Sequence, residues 1–414
     1  AGRPLSSAID VGFDRAWSSI RDSNFSSLIT CGILFYFGTS IIQGFAFNLA
    51  AGILISMFTA ITITKTILTA VIHTKLAEKL WLWNLHDKPV EQKTYNIIGK
   101  SKTWFALSGI LVGSSLLAVI IFGLKFGIDF KGGTLMDLNF DKAASIEEIK
   151  SELKNIQDAL NIDAAGEKTS SPAKETLESA KEAIDLENAK IVSAGENHYL
   201  INTEHIDNAT HEMILEKLQK RFGQITENRF TTIGPVVGET LKSRAVMAVI
   251  VAMIMIVLYI AFAFRKVPKK VSPWKFGICA IVALAHDVII PVGIFAIFRF
   301  EVDALFITAI LTVLGFSVHD TIVVFDRIRE NLKFQQRDES FAQIANKSMT
   351  QTMTRSINTS LTTLITLTAL LLLGSASIFN FILVLVIGIV VGTYSSIFIA
   401  SPLLVLWQER ERQP

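Results

Sequence analysis

The sequence predicts a multi-span α-helical membrane protein carrying one small α+β domain, and three observations predict it. Of 414 residues, half are hydrophobic and 18% charged, with mean hydropathy +0.46; soluble domains carry about a quarter charged residues. The apolar residues are bunched into runs long enough to cross a hydrocarbon core, which takes about 20 residues. The chain also repeats itself with a shift of 336 residues: Ser26-Ser27-Leu28-Ile29-Thr30 faces Thr362-Thr363-Leu364-Ile365-Thr366, Gly38 faces Gly374, Gly52 faces Gly388 and Phe58 faces Tyr394. Each copy reads as two apolar helices joined by a short turn. Duplicated helix blocks build many transporters, with the working site where the repeats meet.

An amphipathic segment, 1–23, precedes the first two spans, near 24–42 and 45–72. A polar linker, 73–102, leads to a third span at 103–123. After a polar segment, 124–240, five more spans fall near 243–264, 274–298, 304–325, 356–373 and 379–406, within 241–408, before a tail at 409–414. Helices are required, because lipid offers the backbone no other partner. Lys and Arg concentrate in loops 73–102, 265–275 and 326–355 and at the C-terminus, all on one side, which the positive-inside rule makes cytoplasmic. Segment 124–240 then lies outside the cytoplasmic membrane. Residues 126–238 carry a net −8 against +10 for the remainder, an acidic domain unsuited to binding nucleic acid. Cys31 and Cys279 both sit in apolar runs, so no disulfide framework is expected. No signal peptide or initiator Met opens the chain, which reads as a piece of a longer protein.

The outer segment reads β-α-β-β-α-β, the ferredoxin-like plan. Strands are expected at 133–140, 188–194, 197–203 and 225–233, with turn residues Gly195-Glu196-Asn197 in the hairpin. Ser145-Ile146-Glu147-Glu148 is a capping box opening a helix to about 160, and a second helix covers 208–222. The polar stretch 161–187 reads as an insertion with a helix over 174–184.

Charges within spans are expensive, about 2.5–3.5 kcal/mol each by insertion scales. His286 and Asp287 lie mid-span in ALAHDVIIPVG, where Pro291 should kink the helix one turn later. His319 and Asp320 lie in SVHDTIVVFDRIREN, and Arg355 opens the seventh span. Depth suggests an Asp320–Arg355 pair, since Asp320 sits roughly 10 Å of helix rise before Arg327. A carboxylate facing a guanidinium stays ionised, and one left in an apolar site takes a proton. Alternation between those surroundings would carry protons; a static pair would only staple two helices. The repeat partner of Arg355 is Ser19, so the charge belongs to one copy. His286 and His319 fit a proton relay or hydrogen-bonded packing equally. Adjacent His-Asp residues point about 100° apart on a helix and lack the three- or four-residue spacing of helical metal sites, so no metal is expected. GIDFKGGT (127–134) lacks the Lys-Ser/Thr end of a phosphate loop; no cofactor is expected. Its glycines suit a tight exit from the third span.

VHDTIVVFDRIRENL (318–332), TRSINTSLTTL (354–364), GIDFKGGT and VGETL (237–241) together resemble the SecF proteins of the bacterial Sec export system. GFDRAWSSIRDSNFSSLIT…GFAFNLAAGILISMFTA (12–60) resembles the C-terminal end of SecD. The resemblance implies a SecD end fused to SecF within the RND superfamily, with 24–72 as the last two SecD-like helices and the missing part supplying four more. It implies proton-motive-force-driven assistance of preprotein translocation and release outside the membrane, not an enzyme activity. Proton-pathway residues would be Asp320 and Arg355, with Asp287, His286 and His319 as further candidates. Implied partners are the channel subunits SecY, SecE and SecG, a YajC-like subunit, the missing SecD portion, the preprotein and the lipid bilayer. Alternatives are an RND-type proton-coupled exporter of small apolar molecules, an intramembrane hydrolase, and a structural scaffold.

Overall fold

The computed structural model describes residues 4–75, 94–142, 144–166, 186, 189–195, 197–265, 267, 271–335 and 339–411. α1 (Leu5–Phe37) is one unbroken helix, so the amphipathic start and the first apolar run share an axis. Gly38 ends it, four residues before the expected limit. α2 (Ser40–Phe58) continues through a π turn at Thr59–Ile63 into α3 (Thr64–Ile72). α4 (Ser101–Phe122) follows, then the α+β part described below. It comprises β1 (Lys125–Phe126), α5 (Ile128–Lys131), β2 (Gly133–Phe140), α6 (Ile146–Gly166), β3 (Lys190–Gly195), β4 (His198–Thr203), α7 (Asn208–Phe222) and β5 (Ile225–Ile233). The chain returns through α8 (Pro235–Ala263), α9 (Pro273–Phe298), β6 (Glu301–Val302), α10 (Ala304–Lys333) and α11 (Phe341–Leu373). α12 (Phe379–Ser395), a π turn at Ser396–Ala400 and α13 (Ser401–Arg410) complete it. Seven of these helical segments are long and apolar enough to cross a membrane; α1, more polar at its start, is packed among them as an eighth. α9 runs through Pro291 as a single helix.

The repeat is structural as well as textual. Gly38 and Gly374 end α1 and α11 in the same extended conformation, their N–H groups donating to Leu34 O and Leu370 O at 2.9 and 2.8 Å. A Cβ at either glycine would fall 2.4 or 2.3 Å from that carbonyl. The π turns at 59–63 and 396–400 also occupy corresponding places, one residue apart after the shift. α10 is the axis of the bundle. It packs against α1, α8, α9, α11 and α12, and 78% of its apolar stretch is buried, against 11% for α11. Its inward residues include Leu311, Leu314, Val318, Ile322, Phe325 and Ile328.

β2 pairs antiparallel with β4 and β5, and β3 with β4, giving the strand order β3-β4-β2-β5 of a ferredoxin-like sheet. Alternate residues Met136, Leu138 and Phe140 of β2 face α6 and α7, where Ile149, Leu153, Ile156, Ile214 and Leu218 complete the core. Ser145 and Glu148 form the expected reciprocal cap: Ser145 N–H donates to Glu148 Oε2 at 2.8 Å and Glu148 N–H to Ser145 Oγ at 3.2 Å. The Ser145 N–H and its hydroxyl, which donates to the same Oε2 at 3.0 Å, hold the Glu148 carboxyl below the usual range. α6 extends to Gly166, into the stretch read as an insertion, because its helical pattern does not stop at 160. The helix expected over 174–184 lies outside the described residues.

Close packing by small residues holds for the second copy only. A Cβ at Gly388 would meet Val313 Cγ2 at 2.3 Å, and one at Gly392 would meet Ser317 Cβ at 3.0 Å, so α12 lies tight on α10. Gly44 and Gly52 of the first copy have nothing within 4 Å of that position. Gly388→Val should therefore destabilise the bundle by about 1–3 kcal/mol, lowering the thermal unfolding midpoint in detergent, while Gly44→Val leaves it unchanged.

Candidate functional site

Four helices bring polar groups into one buried layer. α9 supplies His286 and Asp287, 5% and 0% exposed. Asp287 Oδ2 accepts hydrogen bonds from Ser317 Oγ of α10 at 2.5 Å and Ser395 Oγ of α12 at 2.7 Å. Its Oδ1 lies 3.0 Å from His286 Nδ1. The close approach enforced at Gly388 and Gly392 is what carries Ser395 to this carboxylate. One step further, Thr321 Oγ1 and Ser396 Oγ lie 2.8 Å apart, with Ser396 in the π turn. π turns free backbone groups from the regular ladder and recur at functional sites. Here Ser401 Oγ donates to the Ser396 carbonyl at 3.2 Å.

Asp320 lies about one turn along α10 from Ser317 and is 3% exposed. Ser356 and Ser360 of α11 stand beside it. Yet among the described residues Asp320 Oδ2 and Ser356 Oγ are buried without a hydrogen-bond partner. Ser360 is engaged elsewhere: its hydroxyl lies 2.5 Å from Thr393 Oγ1 of α12 and donates to the Ser356 carbonyl at 2.9 Å. Buried polar atoms are nearly always paired, so the unpaired carboxyl oxygen, like Ser356 Oγ beside it, is an exceptional feature of this layer.

The expected ion pair between Asp320 and Arg355 is not formed. Arg355 is exposed on α11, within electrostatic reach of Asp320 and His319 but in no ion pair with either among the described residues. The repeat explains why. On α1 the buried face carries Ser19, Asp22, Ser23, Ser26 and Thr30, covered by α8 and α10. The corresponding face of α11 carries Arg355, Asn358, Thr359, Thr362 and Thr366, all exposed. Arg355 therefore lies on a polar helix face that has no counterpart of α8 and α10 over it among the described residues.

Of the five residues singled out by sequence, Asp287 and His286 touch each other, and Asp320 and His319 sit on the adjoining helix. His319 is half-buried and takes no part in the Asp287 contacts. His286 Nε2 is buried without a partner, its ring stacked on Tyr394 with centroids 6.1 Å apart. The hydroxyls that complete the layer, Ser317, Ser356, Ser360, Thr393 and Ser395, drew no attention in the sequence; the four-residue spacing of Ser348, Thr352, Ser356 and Ser360 was the readable signal. Asp22 was also missed. It is 4% exposed on α1, its Oδ1 accepting from Arg21 Nε at 2.8 Å and Tyr259 Oη at 3.3 Å. Its repeat partner is the neutral Asn358, so copy one carries a carboxylate and copy two a guanidinium, about one turn apart.

The family model for the C-terminal part of the protein export membrane proteins SecD and SecF matches residues 213–410, and that for the SecD/SecF GG motif matches residues 117–144. The chain is 44% identical over 314 residues to the protein translocase subunit SecF of Thermobaculum terrenum, covering 74% of this chain and 92% of that one. It is 32% identical over 415 residues to the protein translocase subunit SecDF of Thermus thermophilus, covering 100% of this chain and 51% of the relative. The crystal structure of the latter organism's SecDF, described as a translocon-associated membrane protein, superposes with a TM-score of 0.79 at 29% identity, over 99% of this chain and 51% of that one. The chain thus spans about half the length of its SecDF relatives. With its bundle, its appended ferredoxin-like sheet and its matched motifs, the chain belongs to the SecD/SecF family of protein-export membrane proteins.

Proposed function

We propose that this chain is the proton-handling half of a Sec translocon accessory protein, which uses the proton-motive force to promote preprotein translocation and release on the outer side of the cytoplasmic membrane. The observation that carries the reading is Asp320: a carboxyl group buried on the central helix, with an unpaired oxygen, facing the helix that bears Arg355. A proton is exchanged when the guanidinium approaches and withdraws, because the charged carboxylate is favoured by the cation and disfavoured by apolar surroundings. Asp287 differs, since two hydroxyl donors hold its carboxylate. It serves as the fixed anchor of α9, α10 and α12, with His286 beside it.

The domain assignment follows from charge. The described Lys100, Lys102, Lys275, Arg327 and Lys333 lie at the ends of α4, α9 and α10 opposite the ferredoxin-like sheet, which supports an inner-membrane protein with residues 124–240 outside. The relatives carry the name protein translocase subunit, which supports partnership with SecY, SecE, SecG and a YajC-like subunit. The uncovered polar face of α11 supports completion of the bundle by a SecD portion beyond this chain, since bare guanidinium and amide groups in hydrocarbon are costly. An exporter of small apolar molecules has less support. The cleft beneath the sheet, ≈ 440 Å³, is lined by Asp129, Asp137, Lys190, Arg229 and Glu301 rather than by apolar side chains alone.

In the full-length protein, Asp320→Asn should insert and unfold like wild type while stimulation of preprotein export falls to the level without the protein. Export at the wild-type rate by a folded Asp320→Asn variant would end the proposal. Replacing both Ser317 and Ser395 by Ala strips Asp287 Oδ2 of its two hydroxyl donors. Leaving a buried charge so exposed costs about 1–3 kcal/mol per lost partner, so the thermal midpoint should drop, and adding Asp287→Asn should recover part of the loss.

A further inference from the structure

Where the ferredoxin-like sheet meets the bundle, three contacts converge on the first turn of α10. β1 pairs in parallel with β6, and Gly127 N–H donates to Val302 O at 2.9 Å, tying the exit from α4 to the residues that lead into α10. Asp129, in the short helix after β1, reaches across: its Oδ2 accepts from Ala304 N–H at 2.9 Å. Asp303, the N-cap of α10, accepts from Phe306 N–H at 2.7 Å. The start of a helix leaves its first N–H groups without intrahelical partners, and here one of them is satisfied by the α+β part. Glu301 adds an ionic bridge, 3.1 Å from Lys125 Nζ of β1 and also paired with Lys190 of β3. The exit itself admits little play. Gly132 and Gly133 have φ of +80° and +142°, and a Cβ on Gly132 would meet Pro235 of α8 at 2.9 Å.

We infer that the Asp129–Asp303 double cap, braced by the Lys125–Glu301–Lys190 bridge, is the joint through which a shift of the ferredoxin-like domain reaches α10, and that the joint tightens in acid. Asp129 and Glu301 are thereby positioning residues. The extension of this motion to Asp320 rests on the proposed proton-coupled function; the joint itself does not.

The acid sensitivity follows from the charges. Burial pushes the Asp303 carboxyl up from 3.8 to about 6; the Phe306 N–H opposes this, and the neighbouring Asp129 and Glu301 charges add to it. Burial would raise Glu301 too, but the hydrogen bonds from Lys190 and Lys125 outweigh it and hold that carboxyl below the usual range. Asp303 is thus a carboxyl of this cluster that gains a proton in mild acid, whereas Glu301 does not. A carboxyl whose folded value is raised binds its proton more tightly in the assembled joint, so protonation favours assembly. The gain is fully present below the unfolded value and lost as pH rises through about 6, when ionised Asp303 and Asp129 repel each other.

Hydrogen exchange on the full-length protein in lipid nanodiscs reads the joint directly at the amides of Ala304 and Phe306. After correction for chemical exchange, Ala304 should exchange more slowly at about pH 5 than at about pH 7.5. Asp129→Ala should speed Ala304 about tenfold, the usual effect of losing a cap acceptor. Asp129→Asn, which keeps an accepting oxygen, should restore protection and so shows that Asp129→Ala has not simply misfolded. Asp303→Asn keeps Phe306 capped but should abolish the pH dependence. Unchanged exchange at Ala304 in Asp129→Ala, or wild-type pH dependence in Asp303→Asn, overturns the joint. Full export stimulation by Asp129→Ala with its exchange accelerated would overturn the transmission to Asp320 and leave the joint. Loss of stimulation in Asp129→Ala but not in Asp320→Asn would instead overturn the proton reading and support the joint.

Discussion

The burial of α10 is the constraint on which the rest of this structure depends. A helix that carries His319, Asp320 and Asp326 together with Arg327 and Arg329 would be costly in lipid at almost any depth. Surrounding it with five helices solves that problem by giving its polar groups protein neighbours. The solution needs tight contact on the α12 side, and glycines at 388 and 392 supply it. Tight contact in turn brings Ser395 within hydrogen-bond distance of Asp287, so the same packing that hides α10 also builds the polar layer.

Duplication gave the protein two similar backbones on which different chemistry was written. Helix ends, glycine breaks and π turns coincide after the shift, because they are set by backbone geometry. The inward-facing polar residues have diverged, with Asp22 and Tyr259 on one side and the Arg355 face on the other. One copy buries a carboxylate and the other exposes a guanidinium, so the two halves are chemically unequal.

Much of the architecture was legible in the sequence because membrane helices and their connections obey few rules. Apolar run length placed the spans, and alternation placed β2, β4 and β5. The Ser145–Glu148 cap was legible from four letters. Depth along the helix axes brought Asp320 and Arg355 within electrostatic reach but does not fix azimuth, and among the described residues Arg355 sits on an uncovered face of α11 with no direct ion pair to Asp320. The hydroxyl donors to Asp287 were illegible for a related reason. Ser317 and Ser395 are 78 residues apart, and no local pattern shows that α10 and α12 touch. Asp22 escaped notice because it lies where the amphipathic start and the apolar run join, in a stretch where a charge looks unremarkable.

On the proposed function, Asp320 changes protonation state as the protein works. Infrared difference spectroscopy of the full-length protein in proteoliposomes, recorded as the outer face is acidified, observes this directly. The account predicts that one component of the carboxylic-acid carbonyl band grows on acidification, shifts in deuterated water, and is lost in Asp320→Asn while surviving in Asp287→Asn and in Asp303→Asn. A band unaffected by Asp320→Asn, or the absence of any acid-dependent carboxyl band in wild type, would contradict it.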